Sequence, residues 1–499
     1  MGHLGAREFI DRVVDPGTFV SWDAAPIRPF APTGELDPEY TRSLERARAR
    51  TGVDESVLTG EARLGGHRAA VAACEFGFLG GSIGVASGQR LAGAIERATA
   101  ERLPLLASPA SGGTRMQEGT VAFLQMVMIA TAVAQHRRAG LPYLSYLRNP
   151  TTGGVFASWG SLAHITMAEP GALIGFLGPR VYQALYGEPF PEGVQTAENL
   201  YVRGLIDAVV PPEQLREIVI TALDVVGAAR APAPVAAVDE ADVTVDEAPA
   251  WESITRSRDR RRPGVRDLLA VAGSSVTALR GTGRGDDDPG MLLVLAEFEG
   301  VPTVVLGHCR QGATPLGPGG LRVARRGMRL AEELHLPLLT VVDTAGAALS
   351  VDAEQGGLAG EIARALVDLT TLHTPTICLL LGQGTGGGAL ALLPADRVLA
   401  AQHAWLAPLP PEGASVIRHR DTAHAAELAQ AQGVRSVDLR RHGIVDRVIA
   451  ERPDAADEPA EFLHRLARVL AAELAELERR DLEELRAARA LRYRHLGAG

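Results

Sequence analysis

The sequence predicts an α/β protein built by tandem duplication. Short apolar runs alternate with helical patterns in both halves, which is the order of a parallel sheet whose strands are joined by helices. Pro104 and Pro337 lie 233 positions apart in matching Leu-Pro-Leu-Leu runs. Gly153 and Gly386, each the first residue of a Gly-Gly pair, have the same spacing. Two landmarks in one register indicate a repeated unit.

Each half contains the same succession of elements. In the first half, residues 103–107 are a predicted strand and residues 114–139 a long helix that Gly140 and Pro142 end. In the second half, the predicted elements are a strand at 336–342, a small-residue turn at 343–347, a helix at 361–372 and a strand at 376–381.

The predicted domains follow from breaks in composition. Residues 227–247 alternate Ala, Pro, Val and acids without periodicity, as a solvated linker would. They separate a domain at 1–226 from a second domain at 248–456. Residues 457–499 are predicted to form an amphipathic helix that packs on its own domain or on a partner subunit. Its apolar stripe consists of Leu463, Leu466, Leu470, Leu474 and Leu477.

Composition excludes several function classes. The chain has 499 residues, 46% of them hydrophobic, and a formal net charge of -10, which argues against nucleic acid or an anionic membrane as the main partner. All 50 basic residues counted as Lys+Arg are arginines. Without lysine the chain lacks a Walker phosphate loop, Schiff-base chemistry and any attachment point for a Lys-linked prosthetic group.

The three cysteines predict neither a disulfide framework nor a zinc site. Cys74, Cys309 and Cys378 are far apart in sequence, so no four-thiolate metal site can be built from them, and no other cluster has metal-ligand spacing. The N-terminus carries charges and no long apolar core. We therefore expect a cytoplasmic protein without a metal.

Four glycine-rich turns follow strand-like runs, at residues 111–114, 151–154, 343–346 and 385–389. At such turns, unpaired backbone N–H groups can bind an anion or a developing oxyanion, and glycine permits close approach. Residues 382–387 match G-x-G-x-x-G, but they lie at the second strand-turn-helix of their half, where a dinucleotide fingerprint does not belong.

Side chains of the usual catalytic sets are missing from the sequence. It contains neither H-E-x-x-H nor G-x-S-x-G, and Asp343, Glu354 and Glu412 are scattered acids of the kind that cap helices or form ion pairs. A site that relies on backbone donors needs no side-chain base.

The longest motifs identify a family resemblance. Residues 110–119 (ASGGTRMQEG), 150–155, 168–170 and 174–180 resemble the β subunit of the carboxyltransferase of acetyl-CoA carboxylase. Residues 343–347, 382–391 and 411–415 resemble its α subunit. The chain is thus similar to that component with β-like and α-like subunits fused in this order, and the resemblance implies two tandem crotonase-like domains.

The resemblance also implies a reaction. The family moves a carboxyl group from carboxybiotin, carried on a separate biotin carboxyl carrier protein and charged by biotin carboxylase, to the α-carbon of a short acyl-CoA. Acetyl-CoA is the expected acceptor and malonyl-CoA the expected product. Biotin nitrogen would remove the substrate proton, and the enzyme would be a homodimer or a higher homo-oligomer.

Site residues are carried over from the same motifs. Gly112 and Gly113 would stabilise the thioester enolate, and Gly387, Gly388 and Ala389 would stabilise the ureido oxygen of biotin. The candidates for contact with CoA phosphates are Arg90, Arg115, Arg148 and Arg180. Arg115 is equally well placed to pair with Glu118 one helical turn on. The expected substrate-binding set is Ser111, Arg115, Thr152, Gly153, Gly154, Arg90 and Gly346.

Departures from the family pattern leave alternatives open. The β-subunit zinc ribbon is absent, Ala345 replaces a usual Pro, Gln383 replaces a usual Glu, and the basic segment after Gly307-His308 is reduced to Arg310. A malonyl-thioester decarboxylase on the same scaffold and a non-catalytic carboxylase subunit are the other two readings. Acyl-chain length stays open, because one methylene is worth only about 1–3 kcal/mol in an apolar pocket.

Overall fold

The computed structural model describes residues 4–26, 29–31, 37–227, 238–245, 247–310, 315–494 and 496. It divides into two compact units. The first comprises Met1–Ala228 with Gly283–Gly285, and the second comprises Ala229–Thr282 with Asp286–Gly499.

The first unit contains a seven-stranded sheet in the order β1-β2-β3-β4-β5-β7-β9, and β6 pairs with β8 beside it. The β1-β2 and β2-β3 pairs are antiparallel, and the remaining neighbours in the sheet are parallel. Its strands are β1 Val20–Ser21, β2 Val57–Leu64, β3 His67–Cys74, β4 Leu105–Ser108, β5 Tyr143–Leu147, β6 Thr151–Thr152, β7 Ile165–Ala168, β8 Ile174–Gly175 and β9 Ala208–Val209. Its helices are α1 Ala6–Val13, α2 Pro38–Thr51, α3 Val85–Ala100, α4 Gly119–Arg138, α5 Pro179–Tyr186, α6 Ala197–Val202 and α7 Pro212–Val226.

The second unit repeats this sheet as β10-β11-β12-β13-β14-β15-β17, with β16 paired to the end of β14. Its strands are β10 Gly273–Leu279, β11 Met291–Phe298, β12 Val301–His308, β13 Leu338–Thr344, β14 Thr376–Thr385, β15 Arg397–Ala401, β16 Trp405–Ala407 and β17 Arg447–Ile449. Its helices are α8 Glu240–Val243, α9 Ala250–Ser257, α10 Val265–Ala272, α11 Pro318–Glu333, α12 Val351–Gln355, α13 Leu358–Thr371, α14 Gly386–Leu390, α15 Pro411–His419, α16 Ala425–Ala431, α17 Ser436–Arg441, α18 Pro459–Leu477 and α19 Leu482–Leu491.

The predicted register of the duplication is confirmed in the backbone. Helices α3 and α11 each have 16 residues and begin 233 positions apart. The isolated bridge between Ile83 and Thr114 recurs between Leu316 and Ala347 at the same offset. Strands β4, β5, β13 and β14 are buried almost throughout, as parallel strands covered on both faces are.

Several predicted boundaries differ from the structure, and the starts of three elements do so for clear local reasons. Strands β4 and β13 begin two residues later than predicted, after Pro104 and Pro337, each of which contributes only its carbonyl to a neighbouring strand. The predicted helix at 114–139 begins at Gly119, because the chain first makes a 3-10 turn at Met116–Glu118.

The prediction of a solvated linker at 227–247 is wrong at its C-terminal end. Residues 228–237 and 246 lie outside the described residues, but Glu240–Val243 form helix α8. Asp239 caps this helix, and the buried Asp242 carboxylate pairs with Arg468. The backbone carbonyl of Asp242 also accepts a hydrogen bond from the Ala450 N–H, so this stretch packs on the second unit.

The C-terminal segment forms two helices instead of the one predicted. All five leucines of the predicted stripe are buried in helix α18, which packs on α10 and on strands of the second unit. The chain then turns, and Asp481 caps α19. The buried Arg489 of α19 pairs with Asp396, so this segment is part of the second unit.

Candidate active site

The turn after β4 holds the first pair of predicted donors, and it uses both of them internally. Gly113 has φ +112°, a region that L side chains rarely adopt. Its N–H donates to the Ser111 hydroxyl over 3.0 Å, and the Gly112 N–H donates to the Gly80 carbonyl over 2.9 Å. The prediction that these two amides face a substrate oxygen is therefore wrong for this structure, because both already have protein acceptors, one inside the turn and one in the segment around Gly80.

The neighbouring turn after β6 supplies a free amide. Gly153, at φ +65°, donates its N–H to the Phe176 carbonyl over 3.0 Å. Among the described residues, the Gly154 N–H has no hydrogen-bond partner. A Cβ built on Gly113 would lie 3.7 Å from the Gly154 nitrogen. Glycine at position 113 therefore keeps the Gly154 N–H accessible. This accounts for glycine there better than a substrate contact of the Gly113 N–H, which is already bonded to Ser111.

A cleft of about 730 Å³ opens beside these turns. Gly112, Thr114 and Thr152 line it, together with apolar residues such as Phe76 and Leu79. In the part of the chain that the structure describes, the Thr114 N–H also lacks a partner. A cavity of this size with a mainly apolar wall and a few polar groups suits a small-molecule ligand.

Arg115 was predicted to meet CoA phosphates, and this is wrong. Its side chain is 1% exposed and pairs with the Glu55 carboxylate through both terminal nitrogens. The alternative partner, Glu118, lies 3.5 Å away and also accepts a hydrogen bond from Tyr40. A guanidinium enclosed by two carboxylates stabilises the fold and has no free face for a ligand.

The other predicted arginines are also engaged in the structure. Arg90 is 6% exposed and forms a bidentate ion pair with Asp54, although it borders a smaller cleft beside Trp22. Arg148 is fully buried and donates to backbone carbonyls, among them that of Cys74. The side chain of Arg180 lies outside the described residues.

The second unit repeats the first turn closely. Gly346 has φ +129°, and its N–H donates to the Thr344 hydroxyl over 3.1 Å, as Gly113 does to Ser111. Gly346 was predicted to bind substrate, and its amide is likewise used inside the turn. The Ala347 N–H, at the position equivalent to Thr114, has no partner among the residues that are described.

The predicted donors Gly387 and Gly388 are the second and third residues of helix α14, where amides have no intrahelical acceptor. Within the described chain they have no other acceptor. Ala389 is the fourth residue, so its N–H faces the carbonyl of the N-cap residue Thr385 and is used inside the helix. A Cβ on Gly388 would lie 3.4 Å from the Ala347 nitrogen, so glycine keeps that amide uncovered. Gly387 has a different need, because its Cβ would lie 2.7 Å from Ile362.

Two of the three scattered acids, Glu412 and Asp343, form ion pairs in the structure. Glu412 forms a bidentate pair with Arg258, and this hydrogen bonding holds its pKa below the usual value. Burial raises the pKa of Asp343, which accepts a hydrogen bond from the Gln383 amide at 3.0 Å and lies 3.3 Å from Arg310. Among the described residues, no three His, Cys, Asp or Glu side chains form a potential metal site.

Sequence reasoning missed two features of the site. The first is the role of Thr114 and Ala347, whose neighbours in the motifs were chosen instead, since a sequence does not show which amide a turn consumes. The second is a group of arginines around Arg258, which comes together only through the sheet of the second unit.

Comparisons with known proteins agree with this geometry. Residues 1–487 match the model of the carboxyl transferase domain family. The probable biotin-dependent acyl-coenzyme A carboxylase beta3 subunit of Mycobacterium tuberculosis (strain ATCC 25618 / H37Rv) is 60% identical over 500 residues, covering 100% of this chain and 99% of that protein. The acetyl-coenzyme A carboxylase carboxyl transferase subunits beta/alpha of Salinispora tropica are 38% identical over 516 residues, covering 99% and 91% of the two chains.

Among solved structures, transcarboxylase 12S with methylmalonyl-coenzyme A and methylmalonic acid bound is similar over 96% of this chain and 90% of its own. The TM-score is 0.74 and the sequence identity 21%, so this likeness concerns the fold. The predicted fold class, two tandem crotonase-like α/β domains, is confirmed.

Proposed function

Because the chain belongs to the carboxyl transferase family and is the carboxyltransferase of a biotin-dependent acyl-CoA carboxylase, we propose that its acceptor is a short acyl-CoA, with acetyl-CoA carboxylated to malonyl-CoA. The observation that carries this proposal is that each unit has two backbone N–H groups without a protein acceptor in the described chain, one pair for the acyl-CoA and one pair for biotin. The acetyl-CoA acceptor is supported by relatives of that name that match nearly the whole chain.

In the first unit, the amides of Thr114 and Gly154 would donate to the thioester oxygen of acyl-CoA, with the acyl end in the cleft beside them. As the α-proton leaves, negative charge grows on that oxygen, and donors held in place stabilise it. Removing one such donor costs about 2.7–4 kcal/mol of transition-state stabilisation in comparable sites.

The second unit suits biotin because it also has free backbone N–H groups that can donate to an oxygen on which negative charge develops. The free amides of Ala347 and Gly388 would hold the ureido oxygen, and a Cβ at 388 would lie against the Ala347 donor. Carboxybiotin supplies the carboxyl group and the base that takes the α-proton. This chain's contribution is to bind, orient and polarise, which agrees with acids that are committed to structural pairs.

The partners follow from chemistry that this chain lacks. With no lysine it cannot carry biotin, so the carrier is a separate biotin carboxyl carrier protein charged by biotin carboxylase. We place the protein in the cytoplasm, where its free thiols persist.

Helix α4 supports a homo-oligomer. Phe123, Leu124 and Val127 on this helix are 52–63% exposed, and a second copy would cover them. By length and composition alone, Met116–Arg138 is also long and apolar enough to cross a membrane, a test that core helices of soluble proteins pass as well.

The test is an assay of the purified chain with carboxylated carrier protein and acetyl-CoA, propionyl-CoA or a long-chain acyl-CoA. We expect the highest kcat/KM with acetyl-CoA. A preference for the longer acceptors would overturn the acetyl assignment. Turnover of malonyl-CoA to acetyl-CoA and CO₂ without the carrier would instead show a decarboxylase.

A further inference from the structure

A cavity of about 410 Å³ in the second unit is lined by five arginines. They come from three segments: the loop after α9, the first turn of α10 and the end of β12. The only carboxylate on the wall is that of Asp267, which accepts the Gly264 N–H over 2.8 Å. The arginines are Arg258, Arg260, Arg262, Arg266 and Arg310.

Three of these guanidiniums form ion pairs with carboxylates that do not line the cavity. Arg258 pairs with Glu412 and Arg310 with Asp343. Arg262 pairs with Glu451 through both terminal nitrogens. These pairs fix the orientation of three of the arginines that line the cavity.

The remaining two arginines are not neutralised. Arg260 is exposed and has no partner among the described residues, and the only contact of exposed Arg266 is the Cys309 sulfur at 3.7 Å. The Nε of Arg262 is a buried donor without an acceptor in the described chain, although its side chain is only 1% exposed. Such a buried donor calls for an unseen acceptor.

We propose that this cavity binds the phosphate group of a phosphate monoester or of free inorganic phosphate. A phosphate group carries about −1.5 to −2 charges at neutral pH. Among the described residues, the two unpaired guanidiniums outnumber the single Asp267 carboxylate on the wall, so the wall keeps a net positive charge that suits an anion. Arginine forks also suit phosphate oxygens geometrically. The proposal does not depend on carboxyl transfer, and the phosphate source is either inorganic phosphate or the 3′-phosphate of CoA.

Cys309 allows a direct test, because it lines the cavity and is partly exposed, whereas Cys74 and Cys378 are buried. The full chain is labelled with a dianionic aromatic disulfide or with neutral iodoacetamide. Inorganic phosphate at ten times its Kd should slow both reactions about tenfold, and chloride at equal ionic strength should not. Stronger protection by CoA than by dephospho-CoA would identify the 3′-phosphate as the source. Protection by inorganic phosphate with none by either form of CoA would identify free phosphate, and equal protection by both forms would contradict a role for the 3′-phosphate.

The matched variants are Arg260→Ser with Arg266→Ser, and Arg480→Ser as a control that removes one exposed positive charge elsewhere in the unit. In the double variant the dianionic reagent should lose its rate advantage over iodoacetamide, and phosphate should no longer protect; the control should behave as wild type. Protection that persists in the double variant, or that is missing in the wild type, would overturn the proposal. Thermal denaturation of both variants and the wild type checks that they remain folded.

Discussion

The two units share one turn geometry but enclose different chemistry. Gly113 and Gly346 have φ values of +112° and +129°, and each closes its turn on a hydroxyl two residues earlier. Next to the turn, however, the first unit buries Arg115, where the second has Ala348 at the equivalent position. The first unit opens an apolar cleft, and the second an arginine-lined cavity. The duplicated units thus keep the same backbone turn but line their cavities with different side chains, which is the basis for proposing a different ligand for each.

The largest expected effect tests whether the two turns are equivalent. Valine at position 113 or 346 would force a β-branched residue to positive φ and displace the adjacent donors. We expect each variant to lower kcat for carboxyl transfer by about 100-fold or more, the cost of losing one preorganised donor. Gly93→Ala, where a Cβ meets nothing within 4 Å, is the control. Normal turnover in the Gly346→Val variant would show that the two turns do not have equivalent roles in the reaction.

The buried arginine of the first unit should matter for stability. Arg115→Ala leaves Glu55 and Glu118 without their cation, which costs about 3–5 kcal/mol for a buried pair. Urea denaturation measures this loss. The partly exposed Arg258 in the second unit should cost less than about 1 kcal/mol when changed to alanine. If the Arg115→Ala variant had normal stability but bound CoA weakly, the prediction that Arg115 contacts a CoA phosphate would be correct after all.

Acidification should destabilise both units through buried histidines, most strongly through His136 in the first unit and His308 in the second. Burial lowers the pKa of His136 and of His308 to about 4, against about 6.5 when unfolded. Between these values the unfolded chain binds more protons, so the free energy of unfolding falls as pH falls, by at most about 1.4 kcal/mol per pH unit for each histidine. Replacing either by glutamine should flatten the profile between pH 6.5 and 4. An unchanged slope would show that other groups control it.

The smallest expected effect is that of chelators. EDTA should change neither activity nor melting temperature, because the described residues offer no metal cluster in either unit. Metal analysis of the purified protein checks this, and stoichiometric zinc would contradict it.

Much of the fold could be predicted because it depends on local patterns. The apolar runs after Pro104 and Pro337 can only be buried strands, and their common spacing exposes the duplication. The hydrogen bonding within the site was harder to predict from the sequence. A motif names Gly112 and Gly113 but does not show that Gly80 and Ser111 already accept their N–H groups. Nor does it show that a charged residue inside a motif, such as Arg115, is enclosed by a distant glutamate.

The division of labour between the units can be tested by separating the two halves of the reaction. Alanine at position 113 would place a methyl group 3.7 Å from the Gly154 amide, and alanine at 388 would place one 3.4 Å from the Ala347 amide. The measurement is CO₂ release from carboxylated carrier protein without acyl-CoA, compared with overall transfer. We predict that both variants lose overall transfer and that only Gly388→Ala slows release from the carrier. Slowed release in Gly113→Ala with normal release in Gly388→Ala would show that the roles of the two units are reversed.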